Sequence, residues 1–208
     1  MKAEQDYIRD ITEMRSMMER SSKFLSLSGL AGILAGTYGL AGTLIAWKLF
    51  DFTPREINGS TIQSTRTYPH LEEVIFLGIT VFILAMGTAI FLSYKKAAKK
   101  GENLWNPTSR RLLINMAVPL VAGGILVLIL LSKDLAGLIP AVTLLFYGLA
   151  LYNASKFTYE VVRVLGLTEI ILGLISAYFI EYSLIFWAIG FGIVHIIYGI
   201  YMHYRYEK

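Results

Sequence analysis

The chain has 208 residues, of which 55% are hydrophobic and only 16% charged, with a mean hydropathy of +0.57. Ordinary soluble domains are about 45–50% apolar and roughly 25% charged, so a soluble fold of this size is excluded and lipid must be the solvent. The absence of cysteine excludes disulfides, thiolate metal sites and thiol catalysis, and the net charge of +4 does not suit a nucleic-acid partner.

Residues 1–24 are the polar prelude. Tyr7, Ile8, Ile11, Met14, Met17 and Met18 recur at helical spacing with charges on the opposite face. This predicts an amphipathic N-terminal helix lying on the inner leaflet. Its methionines also suit a docking helix for a cytoplasmic protein partner of residues 2–23. No short apolar core with a small-residue cleavage site follows a basic start, so no cleaved signal peptide is expected.

Six apolar runs then meet the length of about 20 residues that a bilayer demands: 25–47, 72–94, 112–131, 135–153, 161–180 and 184–203. The expected fold is an all-α bundle of six transmembrane helices spanning residues 25–208. Lys2, Arg9, Arg15, Arg20, Lys23, Lys95, Lys96, Lys99, Lys100, Arg110, Arg111, Lys156, Arg163, Arg205 and Lys208 fall on one side of such a bundle. Only Lys48, Arg55, Arg66 and Lys133 fall on the other. The positive-inside bias therefore places both termini in the cytoplasm of a multi-pass plasma (bacterial inner) membrane protein. Trp47 and Trp187 fall near the outer surface, with Trp105, Tyr198, Tyr201, Tyr204 and Tyr206 towards the inner one, as interfacial anchors do.

In the first span Gly29, Gly32, Gly36, Gly39 and Gly42 share one face. Small residues let helix backbones approach in lipid, so this face serves packing inside the bundle or, alternatively, a homodimer seam through span one. The outer loop 51–70 holds Asn58–Gly59 between β-formers and allows a short hairpin. Asn58-Gly59-Ser60 also spells a glycosylation acceptor. Pro119 and Pro140 lie in spans three and four, where a kink would free backbone carbonyls.

Spans five and six carry the sharpest signal. Counted from Tyr182 at the tip of their tight connection, Glu169 lies 13 residues before and His195 13 residues after. Equal counts place the two at equal depth, about 20 Å from the turn and in the cytoplasmic half of the membrane. Glu169 lies three and four residues from Gly166 and Gly173, and His195 likewise from Gly192 and Gly199, so each sits on a glycine stripe. Ionisable residues inside a membrane are costly, and a functional role is their default reading; interhelical polar glue is the structural alternative. Asn115, Tyr147, Asn153, Thr168 and Tyr198 fall at a similar level, and with Glu160 and Arg163 at the rim they are candidates to line an inward-facing cavity.

Two resemblances and one internal echo accompany these readings. "LEEVIFLGIT" in span two echoes "LTEIILGLIS" in span five, as an inverted repeat of three plus three spans would. "EEVIFLG" resembles the Glu-Glu-x-x-x-Arg motif of CAAX-type intramembrane proteases, and Phe191 to His195 resembles that family's Phe-x-x-x-His. Leu77 stands in place of the arginine, the second histidine motif is missing, and Glu72 and Glu73 lie at the opposite edge from His195. The amphipathic start followed by "SSKFLSLSGLAGILAGTYGLAG" resembles a group of uncharacterised bacterial inner-membrane proteins. That likeness covers the first quarter of the chain and implies a location without an activity.

Three functions are weighed on these residues. The leading one is transport or permeation with Glu169 as the titrating group and His195, whose charge changes near neutral pH, as partner or relay. A sensor or regulatory membrane protein, signalling through the N-terminal helix after binding a lipid, ligand or cofactor, is the alternative. A lipid-directed enzyme comes last, because no nucleophile or metal set is in view. No cofactor is expected: only His195 lies deep, which does not suit paired-histidine haem ligation.

Overall fold

The computed structural model describes residues 24–50, 52, 70–99, 101, 103 and 105–207. The expected N-terminal amphipathic helix and the hairpin around Asn58–Gly59 lie outside the described residues. All regular structure among the described residues is helical: α1 (Gly29–Leu49), α2 (Leu71–Lys99), α3 (Pro107–Ser132), α4 (Ile139–Ala154), α5 (Val161–Tyr178) and a composite last helix. That last one is built from α6 (Ser183–Trp187), a π-helical segment (Ala188–Val194) and α7 (His195–Tyr206). With short 3₁₀ turns counted in, these form six helices long and apolar enough to cross a membrane.

The ends of these helices differ from the apolar runs for local reasons. Residues 24–28 are not helical, so the first span starts at Gly29 instead of 25. The second runs on to Lys99 and the third begins at Pro107, because a helix continues through polar residues once it leaves hydrocarbon. Asn106 fixes the start of α3 by a reciprocal capping box: its side chain accepts from the Ser109 N–H at 2.8 Å, and the Ser109 hydroxyl accepts from the Asn106 N–H at 2.9 Å. α3 ends in a Schellman turn, with Asp134 at a φ of 56° and the Leu135 N–H returning to the Leu130 carbonyl at 2.9 Å. Pro140 occupies the first turn of α4, where its missing N–H is harmless, and so does not kink the span as its position in the run suggested. Pro119 does sit inside α3, which runs continuously through it.

The most extensive packing is α4 on α5 and α1 on the last span, through both its π-helical segment and α7. α2 leans on α1 and α3 on α4 at the two flanks, so α1, α4, α5 and the last span form the centre. Glycine makes both central seams. A Cβ on Gly36 would stand 2.6 Å from the Gly192 carbonyl, and one on Gly199 would stand 2.6 Å from the Gly29 carbonyl. Similarly, a Cβ on Gly166 would lie 2.8 Å from the Gly148 carbonyl, and one on Gly173 2.7 Å from the Leu145 nitrogen. The glycine face of α1, including Gly32 and Gly39, is thus occupied by the last span of the same chain. The stripes beside Glu169 and His195 do not face each other: Gly166 and Gly173 admit α4, whereas Gly192 and Gly199 admit α1. The segments 71–80 and 167–176, which echo each other in sequence, occupy unlike places. The first lies on a flanking helix with Glu72 and Glu73 exposed, the second in the centre with Glu169 buried.

Candidate functional site

Glu169 and His195 meet at the centre of the bundle. The carboxylate is fully buried and the imidazole is 4% exposed, with His195 Nδ1 3.4 Å from Glu169 Oε1. Equal counts from the turn do find each other. By helical rise, though, Glu169 is about 12 Å from Val161 and about 14 Å from Tyr178, which is mid-helix. The count from Tyr182 differs from this because it includes residues 179–182, which lie outside the α-helix.

A π-helical segment, Ala188–Val194, leads directly into His195. Its one-residue widening changes which side chains line the bundle axis and brings the His195 ring back over its own helix. His195 Nδ1 lies 2.9 Å from the Gly190 carbonyl, the acceptor five residues earlier. A carbonyl can only accept, so Nδ1 carries a proton. In the neutral ring Nε2 is then the acceptor, and the Tyr147 hydroxyl from α4 stands 3.0 Å from it as donor. Gly190 also makes room for the acid: a Cβ there would lie 2.5 Å from Glu169 Oε2. Phe191 stacks on His195 at 5.8 Å between centroids, touches the Tyr147 ring at 5.0 Å and the Trp187 ring at 4.9 Å, and so closes one side of the pair.

Neither Glu169 oxygen has a hydrogen-bond partner. A buried carboxyl costs several kcal/mol of lost hydration unless it is paired or protonated, on the order of the penalty for any buried polar group left unmet. The arrangement is a buried carboxyl facing an imidazole, and the imidazole facing a phenol. The described residues contain no group of three or more His, Asp or Glu able to hold a metal ion.

The remaining candidate residues lie elsewhere. Asn115 bonds its amide to the Arg111 carbonyl of its own helix at 2.8 Å. Tyr198 packs with the apolar cluster of Leu151, Tyr159, Val162, Leu165 and Met202, which fills the bundle on the Val161 side of Glu169. Asn153 is half-buried near the end of α4, and the Thr168 hydroxyl turns back to the Val164 carbonyl at 3.0 Å. Sequence reasoning missed Gly190, Phe191, Thr143 and Trp187 as parts of the site. Trp187, taken as an interfacial anchor, donates its indole N–H to the Thr143 hydroxyl at 3.2 Å. The Gly190-x-Gly192 spacing was visible, but nothing in it announces a π-helical turn. No family model, curated protein or solved structure matches the chain.

Proposed function

We propose that this polytopic membrane protein transports or permeates protons, alone or with a substrate, and that Glu169 is its titrating group with His195 and Tyr147 as relay. The observation that carries this reading is the fully buried carboxyl whose two oxygens have no hydrogen-bond donor while an imidazole stands 3.4 Å away. A charged carboxylate there accepts the His195 Nδ1 proton as Nε2 takes the Tyr147 hydroxyl proton, and the proton being moved refills the phenol, so that no charge stays on ring or phenol. The net positive charge of the connections on one side gives both termini a cytoplasmic place in this reading.

The test is proton flux into proteoliposomes under an imposed membrane potential, read by an entrapped pH dye. Glu169→Gln abolishes the protein-dependent flux and its pH dependence. Flux in the variant equal to that of the unaltered protein overturns the proposal, as does the absence of any flux above that of empty vesicles.

A second reading, a sensor that signals through its N-terminal segment, has its own support. The chain entering α1 is strapped to the α4–α5 connection by Phe24 N–H to Phe157 carbonyl at 2.7 Å, Thr158 hydroxyl to Phe24 carbonyl at 2.8 Å and Tyr159 hydroxyl to Leu25 carbonyl at 2.6 Å. Movement of the centre would reach residues 1–23 through that strap. Deleting residues 2–22 then changes the nuclear magnetic resonance signals of His195; unchanged signals count against this reading.

A further inference from the structure

Among the described residues, four buried side-chain polar atoms lack a hydrogen-bond partner: both oxygens of Glu169 and the hydroxyls of Ser176 and Ser183. All three residues are 0% exposed, and all belong to the α5–α6 hairpin. Hydroxyls in membrane helices ordinarily turn back to the carbonyl one turn earlier. Thr37, Thr43, Thr80, Thr88 and Thr168 all do so here, at 2.7–3.0 Å. Ser176, inside α5, makes no such bond although nothing in hydrocarbon replaces it, and the Ser183 hydroxyl at the start of α6 is buried without a partner too.

Their places form a line. Ser176 follows Glu169 by seven residues, two turns along the same face and about 10 Å nearer the turn. Ser183 opens α6 at the turn itself. On α4 the Thr143 hydroxyl lies one turn from Tyr147 in the same direction, and Trp187 joins it from the last span. Polar groups on three neighbouring elements therefore occupy the turn side of the Glu169–His195 pair. The other side is closed by Leu151, Tyr159, Val162, Leu165 and Met202.

We infer that Ser183 and Ser176 mark a narrow hydrated file through which Glu169 exchanges protons with the membrane face at the α5–α6 turn. This deepens the proton reading above and rests on it for its purpose. Each hydroxyl can accept a proton from one neighbouring water while donating its own to the next. A hydronium at the turn thus becomes water as Glu169 gains a proton, with no net charge left on either serine. Access from this face is opposite to the inward-facing cavity expected from the sequence.

The lack of native cysteine makes the file directly testable. Single variants Ser176→Cys and Ser183→Cys, nearly isosteric changes, are compared with Leu165→Cys in the apolar plug. The probe is silver ion added outside sealed proteoliposomes of determined orientation, with unreacted thiol counted by maleimide after denaturation. Thiolates form only where water reaches them, so the two serine positions react at least about tenfold faster than position 165, and only from the turn face. Ser176→Ala, which removes the hydroxyl without adding bulk, also slows proton flux. A Ser176→Cys thiol as inert as that at 165, or one reached only from the opposite face, overturns the file. Reactive serine positions in a protein without proton flux would leave the file standing and remove the transport reading. Glu169-dependent flux with an inert position 176 would do the reverse.

Discussion

Gly190 carries more of the site than its lack of a side chain suggests. Its carbonyl fixes the His195 tautomer, and the space where a Cβ would be is filled by Glu169 and by Leu144, whose Cδ2 would stand 2.5 Å from that Cβ. Gly190→Ala forces both neighbours to move and costs about 1–3 kcal/mol, the usual range for overpacking a well-filled core. Glu169→Ala opens the same space, so the double variant is less destabilised than the sum of the two single ones. Unfolding in detergent measures this coupling, and strict additivity would show that the acid does not rest on Gly190. Tyr147→Phe leaves Nε2 of His195 buried without its donor and costs about 1–3 kcal/mol in the same assay. The nitrogen-15 shifts of His195 in the unaltered protein report a protonated Nδ1 and an unprotonated Nε2. The reverse pattern would contradict the tautomer assigned from Gly190. Glu169 and His195 were legible in the sequence because ionisable groups are rare in apolar runs and a short turn fixes their relative depth. Gly190 was not, because its part depends on a backbone opening that no residue type signals.

Glycines divide by element in a way that spacing alone does not show. On α1 and the last span they are seams, whereas a Cβ at Gly78, Gly87 or Gly124 would meet nothing within 4 Å. Gly36→Ala therefore pushes α1 off the π-helical segment and destabilises the fold. Gly87→Ala in the middle of exposed α2 is neutral or stabilising by up to about 1 kcal/mol, the helix-propensity difference. Opposite signs in unfolding experiments are expected, and equal effects would contradict the assigned seams. All of these glycines look alike in sequence because helical periodicity states which residues share a face but not what that face meets. The spans themselves were readable from length and apolarity, since the bilayer sets a minimum run that few other structures need. Their true ends were set by local chemistry, such as the Asn106 capping box and the first-turn placement of Pro140, beyond the reach of hydropathy.

At the scale of the whole molecule, one end of the bundle is tied together by Glu207, just beyond α7. α1 begins without a side-chain cap from Ser28, and the Glu207 carboxylate takes that role from 178 residues away, accepting the Gly29 N–H at 2.9 Å. A negative charge also suits the positive end of the helix dipole. Lys96 at the end of α2 pairs with the same oxygen at 2.9 Å, donates to the Leu27 carbonyl and lies over the Tyr159 ring. His203 approaches the other carboxylate oxygen at 2.7 Å. The carboxylate thus joins α1, α2 and α7. Burial alone would raise its pKa, but the hydrogen bonds from His203, Lys96 and Gly29, with the Lys96 charge, outweigh burial and hold it at about 2. A carboxyl with a folded value below its ordinary 4.5 favours the fold most fully above 4.5. That contribution is lost progressively as pH falls from 4.5 through about 2, where the folded protein must take up the proton. In Glu207→Gln it is absent at every pH. The difference in stability between the unaltered protein and this variant, followed in detergent across that range, should therefore be constant above 4.5 and shrink towards acid. A difference that grew as the pH fell would mean that the carboxylate repels its surroundings instead of joining the three helices.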